Sequence, residues 1–446
     1  MKGAMEEGSK KCEWPKTRTT LIVELKKMGR IAAPMVATTV LQYLLQVVSV
    51  MMVGHLNQLS LSSVAIATSL TNVSGFSILS GMAGGLETLC GQAYGAEQFE
   101  KFGIYTYTAI ISLTMVSAPI TIIWIFMDKI LILLGQDITV SLEARTYALW
   151  LIPALFGSAI LKPLTRHVGA AISFSLGTWL NVMILFFFVK YSSVCEKTRV
   201  PFSKKAFLGI KEFFGLAIPS AAMVCLKWWA CELLVLLAGL FQDPKLETSV
   251  LSICLTISTL HFTISYGLGA ATSTRVSNEL GAGNSKAVRY SVFTATFLAI
   301  AEALIITAIL FGCRNVLGYA YTHDSEVVHY VAVMTPFICA SIFTDSLQAV
   351  LSGVARGSGW QHVGAYVNLG AFYLVGVPIG VVLGFIAHFR AKGLWIGIVA
   401  GSIVQTIFLS IITALTNWKK QSIMARERIF DATSSDESVT DHMNNA

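Results

Sequence analysis

Charged residues are scarce in this sequence. Lys, Arg, Asp and Glu together make up 13% of its 446 residues, while hydrophobic residues make up 54% and the mean hydropathy is +0.67. Soluble domains are roughly one-quarter charged, so a chain this poor in charge cannot cover a water-facing surface. The composition excludes a soluble globular protein and indicates that lipid surrounds most of the chain.

The motifs of several other functions are also absent. The sequence has no Walker loop, no HExxH helix and no GxSxG turn, and its eight cysteines form no CxxC pair. We therefore predict that the chain is not an enzyme and binds no metal. The net charge of +7 does not indicate nucleic-acid binding, because the basic residues lie between apolar runs and at the chain ends. That distribution is the one that orients membrane helices.

What the sequence does contain is a series of long apolar runs. In lipid only helices and closed barrels satisfy every backbone polar group, and these runs show no alternation of polar and apolar residues, so we predict helices. The predicted segments lie at approximately residues 29–53, 60–84, 104–127, 146–162, 168–190, 212–241, 248–272, 288–312, 328–352, 364–387 and 394–416.

The two halves of the chain resemble each other. Pro and Gly residues recur in the same order at a nearly constant offset, which chance matches between apolar helices do not produce. The matched pairs are Lys26–Lys211, Pro34–Pro219, Leu41–Leu226 and Gly54–Gly239 at an offset of 185, and Gly81–Gly267, Thr88–Thr274 and Gly95–Gly281 at 186. We predict two homologous helix bundles, with the substrate path at their interface.

The repeat breaks between the fourth and fifth segments. Segment 364–387 has no partner in the first half, which is therefore short by about 40 residues, the length of one helix and its loop. The deficit lies near Lys162–His167. Charge leads to the same conclusion, because the basic amino-terminal tail and the basic loop after segment five should both be cytoplasmic. Five spanning segments cannot place both on one side, whereas six can.

These patterns predict an all-α polytopic membrane protein of about eleven spanning helices. Its expected parts are a cytoplasmic tail (1–28), a first lobe of five helices (29–192), a basic cytoplasmic linker (193–211), a second lobe of six helices (212–416) and a polar cytoplasmic tail (417–446).

Two acidic residues stand out inside the predicted spanning segments. Ionisable side chains there are costly and usually functional. Burial should favour the protonated form of Glu232 in segment six, so that it takes up and releases protons, and Asp345 in segment nine is predicted to be functional. The alternative for Glu232 is a structural hydrogen bond or an ion pair with Lys227. Gln348 follows Asp345 by three residues and extends one polar stripe along its helix.

Further polar and aromatic residues are candidates for a hydrated cavity. Helical spacing groups several of them on common faces, although polar faces also join helices to one another. The cavity candidates are Gln42, Tyr43, Gln46, Asn181, Trp228, Thr256 and Gln348.

Helix breakers and charges occupy equivalent places in the two halves. Pro34 and Pro219 are predicted to kink the first and sixth segments, which serves either alternating access or simple packing. Arg275 and Glu279 precede Gly281 at the end of segment seven, where they predict either a cytoplasmic gate or a structural salt bridge.

Four motifs resemble those of the plant multidrug and toxic compound extrusion (MATE) transporters, also called DETOXIFICATION proteins. The motifs are GLETLCGQAYG at 85–95, LETSVLS at 246–252, TRVSNELGAG at 274–283 and GVARGSGWQ at 353–361. The resemblance covers roughly residues 20–420. It implies two six-helix lobes around a cavity that opens to alternate sides.

The resemblance also implies a function. Family members exchange protons, or sodium in some cases, for organic compounds such as alkaloids, flavonoids and xenobiotics, and acids in the helices that hold Glu232 and Asp345 carry the coupling ion. We therefore expect a proton-coupled antiporter of small organic substrates that needs no cofactor. We also expect a monomeric, multi-pass protein of the plasma membrane or the vacuolar membrane, in contact with lipid and with no nucleic acid.

Two departures from the family pattern bear on this function. Many members carry a second acid five residues before the one at Glu232, and this chain has Lys227 there. The fifth family helix is also missing. The alternative to an active antiporter is therefore a non-transporting, truncated isoform that misfolds or associates with full-length relatives.

Overall fold

A computed structural model places most of the chain. It describes residues 18–54, 66–133, 136–164, 203–238, 240–241, 244–321 and 324–430, and isolated residues between 183 and 201. Every regular element in these ranges is a helix, which confirms the predicted all-α fold.

The long helices are numbered here in chain order. They are α1 (Arg18–Gly54), α2 (66–95), α3 (Phe99–Ile125), α4 (Ile138–Leu164), α5 (Ile210–Ala238), α6 (Pro244–Gly281), α7 (Ser285–Gly312), α8 (Ser325–Ser358), α9 (Gln361–Ile386), α10 (Arg390–Leu415) and α11 (418–430). Shorter helices lie at Met127–Leu133, Lys205–Leu208, Arg314–Leu317 and Gly318–Ala320. Helix α2 contains a π-helical stretch at Asn72–Phe76, and α9 contains two, at Leu369–Gly376 and Val382–Ile386.

Among the described residues, seven helices are long and apolar enough to cross a membrane. They lie in α3, α5, α6, α7, α8, α9 and α10. The first, second and fourth predicted segments are also helical, in α1, α2 and α4. The fifth predicted segment, 168–190, lies largely outside the described residues, as do the cavity candidate Asn181, the side chain of Gln46 and the tail beyond residue 430.

Several helices extend beyond the apolar runs that predicted them. Helix α1 begins at Arg18 rather than near residue 29, and α6 continues to Gly281 rather than ending near 272. These two extensions hold Glu24 and Arg275, which form an ion pair with both side chains nearly buried. A hydropathy pattern underestimates such helices because their polar ends are packed against protein.

Side-chain caps mark where three of the helices begin. Asp324 accepts a hydrogen bond from the Glu326 N–H at the start of α8, and Asn284 accepts one from the Ala287 N–H at the start of α7. Asp137 accepts the Thr139 N–H at the start of α4. Each cap satisfies a backbone donor that has no partner inside its helix.

Close glycine contacts show the internal repeat in three dimensions. A Cβ atom at Gly81 would lie 2.5 Å from the Cα atom of Ala221, and one at Gly267 would lie 2.8 Å from that of Val36. Val36 and Ala221 are themselves separated by 185 residues and Gly81 and Gly267 by 186. Helix α2 therefore packs on α5 as α6 packs on α1, which is the arrangement expected of two homologous bundles.

The helix α11 was not anticipated, because residues 417–446 read as a polar tail. One face of α11 is nevertheless apolar, with Trp418, Ala425 and Ile429 buried. Trp418 stacks on Trp360 with 5.7 Å between the ring centroids, and the Arg428 guanidinium donates to Gln92 Oε1 at 2.8 Å. Residues 418–430 are thus docked on the helix bundle.

Candidate functional site

A buried polar centre joins α5 and α8. Lys227 Nζ lies 2.7 Å from Asp345 Oδ1 and donates to Gln348 Oε1 at 2.9 Å. The Lys227 and Asp345 side chains are 12% and 9% exposed, so both charges are largely removed from solvent. The sequence offered Lys227 as an ion-pair partner of Glu232, and that alternative is wrong because Lys227 pairs with Asp345.

Neighbouring side chains extend this centre. Ser402 on α10 contacts Asp345 Oδ1 at 3.4 Å through its hydroxyl group, and Gln348 Nε2 donates to the Ser352 hydroxyl at 2.8 Å. The polar stripe predicted on the ninth segment is therefore a hydrogen-bonded network inside the protein. A buried charge pair with several hydrogen bonds avoids most of the cost of desolvation.

Two open pockets meet at Lys227. Lys227, Trp228 and Phe262 line both, and Lys227 Nζ lies 4.7 Å from the centroid of the Phe262 ring. The first pocket continues past Asp345 and Trp395, and the second continues to residues that include Tyr266 and Arg356. Aromatic faces and a few polar groups are the usual lining of sites for organic molecules.

Glu232 lies in a different environment from Asp345. Its carboxylate accepts a hydrogen bond from the Ser69 hydroxyl on α2 at 3.0 Å, and the side chain is half-buried. Trp229 donates its indole N–H at 3.1 Å to the carbonyl of Val73, which lies one turn after Ser69 on α2. The two predicted acids are thus held by unlike partners, Asp345 by a cation and Glu232 by a neutral hydroxyl of the other half.

The remaining cavity candidates divide between two places. Trp228 and Gln348 line the pockets, whereas Gln42, Tyr43 and Thr256 lie outside both. The Tyr43 hydroxyl instead approaches the Thr256 carbonyl of α6 at 3.5 Å. Tyr43 and Thr256 therefore take part in the contact between α1 and α6.

The two predicted helix kinks fall inside continuous helices. Helix α1 runs through Pro34 and α5 runs through Pro219. Thr38 donates its hydroxyl to the Pro34 carbonyl at 2.7 Å, which supplies a side-chain hydrogen bond in the turn that follows the proline. A role for these prolines in bending stays a prediction.

Sequence reasoning missed a second polar cluster beside Asp345. His261 Nε2 lies 3.0 Å from Glu302 Oε1, and Ser346 donates to Glu302 Oε2 at 2.8 Å while it contacts His261 at 3.1 Å. The Ser265 hydroxyl, one turn from His261, contacts both His261 and Ser346. The only feature of the sequence that could have indicated this cluster is that His261 and Glu302 are ionisable residues inside predicted spanning segments.

Charged residues also join the two halves at the start of α1. Arg275 donates to both carboxylate oxygens of Glu24 at 2.8 and 3.2 Å and pairs with Glu279 at 2.5 Å. Ser291 donates to Glu24 at 2.7 Å. Glu24 and Arg275 are 5% and 9% exposed. Of the two alternatives for Arg275 and Glu279, the salt bridge is present, with Glu24 as a partner that the sequence did not suggest, and a role as a gate stays a prediction.

We expect Glu24→Gln to lower the free energy of unfolding by about 3 kcal/mol, because removing one charge of a buried pair leaves the other uncompensated. The midpoint of thermal unfolding in detergent measures the loss. Glu326→Gln, at an exposed position in the first turn of α8, is the matched control and should leave the midpoint unchanged. Equal midpoints for the two variants would contradict a stabilising role for Glu24.

The sequence motifs at 85–95 and 353–361 meet between the halves. Arg356 Nε lies 3.2 Å from Glu87 Oε2, and the Thr88 hydroxyl donates to the Arg356 carbonyl at 2.5 Å. Gln361 donates to the Thr88 hydroxyl at 2.6 Å. The motifs at 85–95 and 353–361 are therefore partners in one interface.

Known proteins of similar sequence cover almost the whole chain. Protein DETOXIFICATION 3 of Arabidopsis thaliana is 51% identical over 91% of this chain and 93% of its own length, and Protein DETOXIFICATION 1 is 50% identical over 92% and 94%. The alignment with DETOXIFICATION 3 is 443 positions long, and 91% of 446 residues is about 406. About 37 aligned positions therefore contain no residue of this chain.

Solved structures agree with the sequence relatives. The crystal structure of the eukaryotic MATE transporter AtDTX14 matches with a TM-score of 0.88 and 48% identity, over 92% of this chain and 99% of that one. A point mutant of the Vibrio cholerae MATE transporter VcmN shares the fold with a TM-score of 0.76 at 15% identity, over 90% of this chain and 100% of that one. The MatE family model matches residues 34–188 and 219–382. The chain is a multi-pass integral membrane protein, not an enzyme, and belongs to the MATE family of transporters.

Proposed function

We propose that this chain is a secondary antiporter that exports small organic compounds in exchange for protons, with Glu232 as the primary proton-binding group. The observation that carries the proposal is the hydrogen bond between Glu232 on α5 and Ser69 on α2. These helices belong to different halves of the repeat, so a proton on Glu232 acts directly at a contact between the halves.

The partner of Glu232 suits a group that changes its protonation state. A hydroxyl group both donates and accepts hydrogen bonds, whereas a carboxylate only accepts and a carboxylic acid also donates. Ser69 therefore serves Glu232 in both states, with the direction of the bond reversed. A proton changes the charge at this contact without leaving either group unsatisfied.

Asp345 has a different role in this proposal. Lys227 already lies 2.7 Å from Asp345 Oδ1, so a proton on Asp345 would remove the favourable charge interaction with the lysine. We assign Asp345 to the positioning of Lys227 and Gln348 rather than to the first capture of the proton. The alternative coupling ion, sodium, would compete at the same carboxylates.

Glu232→Gln is expected to abolish efflux driven by a pH gradient in proteoliposomes, because glutamine keeps the contact with Ser69 but binds no proton. Asp345→Asn is expected to reduce the rate and to leave it dependent on pH. The control is Glu326→Gln, which should transport at the wild-type rate. Undiminished, pH-driven efflux by Glu232→Gln would overturn the assignment of the proton to this residue.

A second candidate function is a non-transporting isoform, motivated by the missing helix in the first half. The 37 or so unmatched positions in the alignment with DETOXIFICATION 3 support the predicted deficit of about one helix and its loop. Reconstitution of this chain beside a version with a restored fifth helix separates the two functions. Efflux by both chains favours the antiporter, and efflux by the restored chain alone favours the isoform.

A further inference from the structure

The charged side chains that line the pockets beside Lys227 are already paired. The lining residues include two cations, Lys227 and Arg356, and one carboxylate, Asp345. Asp345 is already paired with Lys227, and Arg356 faces Glu87, which lies outside the lining. Among the described lining residues, an organic cation that enters these pockets meets no unpaired carboxylate.

Lys227 keeps the capacity to bind an anion in spite of its partners. An ammonium group has three N–H donors, and Asp345 and Gln348 account for two of them at 2.7 and 2.9 Å. Lys227 also lines both pockets. Hydrogen bonds to a charged group are roughly twice as strong as neutral ones.

The apolar walls indicate the rest of the ligand. Trp228 and Phe262 line both pockets with their rings 5.7 Å apart and nearly perpendicular, and Tyr266 lies beside Phe262 at 6.2 Å. Flat aromatic surfaces around a cation suit a planar ring that carries a carboxylate or another anionic group.

We propose that these two pockets bind aromatic organic anions, with Lys227 as the residue that recognises the anionic group. This inference rests on the proposed transport function and names the substrate class of the same cavity. Lys227 has two consequences here: it neutralises Asp345, and it supplies the donor for the ligand. A carboxylate at position 227 would repel Asp345 instead of neutralising it and would repel an anionic ligand instead of binding it.

The test compares two ligands of similar size and opposite charge, 2-naphthoate and 2-naphthylmethylammonium. Equilibrium dialysis with the purified full chain in detergent gives both affinities, and empty micelles give the partition background. Wild type is expected to bind naphthoate about tenfold more tightly than the ammonium probe, because only the anion gains a charge-assisted hydrogen bond from Lys227.

Variants at Lys227 separate recognition from folding. Lys227→Gln should lose about tenfold in naphthoate affinity, and Lys227→Arg should retain most of it. The double variant Lys227→Gln with Asp345→Asn leaves no buried unpaired charge at this pair, so its loss of naphthoate affinity cannot be attributed to an uncompensated Asp345. Lys204→Gln, at an exposed position of the linker, is the control and should bind like wild type.

The outcomes distinguish this inference from the proposed function. Tighter binding of the ammonium probe by wild type, or full naphthoate affinity in both Lys227→Gln variants, would overturn the anion site even if efflux remains driven by pH. Binding requires no ion gradient. A preference for naphthoate without pH-driven efflux would therefore uphold the site and contradict only the antiport proposal.

Discussion

Alanine at Gly95 or at Gly281 is expected to force apart the two halves of the protein where α2 meets α6. A Cβ atom at Gly95 would lie 1.9 Å from the Asn278 carbonyl oxygen, and one at Gly281 would lie 2.1 Å from the Gln92 carbonyl oxygen. Both neighbours are backbone atoms of helices, which cannot move aside as a flexible side chain can. The helices must therefore separate.

The internal repeat makes the two substitutions equivalent. Gly95 and Gly281 are 186 residues apart, and so are their opposing residues Gln92 and Asn278. We expect each variant to lose about 3 kcal/mol, the upper part of the usual range for an overpacked site. The two losses should be similar, and the double variant should fail to yield a stable monodisperse protein in size-exclusion chromatography.

A matched control lies in the same kind of helix. Gly215 is in α5, and a Cβ atom there would have nothing within 4 Å. Gly215→Ala is expected to leave stability unchanged or to raise it by up to about 1 kcal/mol, because alanine favours a helix over glycine. Wild-type stability of Gly281→Ala would contradict the close contact between α2 and α6.

The sequence predicted this interface better than it predicted the polar centre. The glycines that meet across the halves are the ones whose repetition revealed the internal repeat, because close backbone contacts admit no other residue. Glu232 and Asp345 were found because a carboxylate inside an apolar run is conspicuous. Neither finding needed knowledge of which helices are neighbours.

The partner of Lys227 required that knowledge. Five residues along a helix turn the side chain by about 140° from its starting face, so Lys227 and Glu232 are not helical neighbours, and an ion pair between them was the weaker alternative. Asp345, more than 100 residues away in sequence, reaches Lys227 only because α5 and α8 are brought together. For the same reason the sequence did not predict that Glu24 pairs with Arg275 or that Glu302 pairs with His261.

The docking of α11 could not be predicted from the sequence for a related reason. Its buried residues Trp418, Ala425 and Ile429 have helical spacing, but charged residues surround them. Residues of other parts of the bundle, among them Trp360 and Gln92, make that face a packing surface. A short amphipathic stretch in a polar tail is otherwise unstable as a helix.

The amino-terminal tail and the linker at Lys204 are expected to lie on the same side of the membrane. Glu24 near the start of α1 pairs with Arg275, and Gly95 packs against Asn278 one turn further along α6. Glu100 follows at the start of α3, and Lys205 Nζ lies 3.6 Å from its carboxylate. These contacts place the linker at the face of the bundle where α1 begins.

The sidedness of the linker bears on how many segments of the first half cross the membrane. A stretch of chain whose two ends lie on one side crosses the membrane an even number of times, so we expect that not all of the five predicted segments before the linker cross. Protease sites inserted at the amino terminus and beside Lys204, in sealed vesicles of known orientation, measure the sidedness. Both sites should be cleaved from the same side.

A site at Asp137 provides the opposite reference. Helix α3 spans about 40 Å from Phe99 to Ile125 at 1.5 Å per residue, so the loop before α4 lies on the far face and should be cleaved only from the other side. Cleavage at Lys204 from the side of Asp137 would mean that all five segments cross and the second half is inverted. That result would contradict the packing of Lys205 on Glu100 and favour a non-transporting chain. Cleavage of the tail and the linker from the same side would instead place the second half, with Glu232 and Lys227, in the orientation that the proposed export requires.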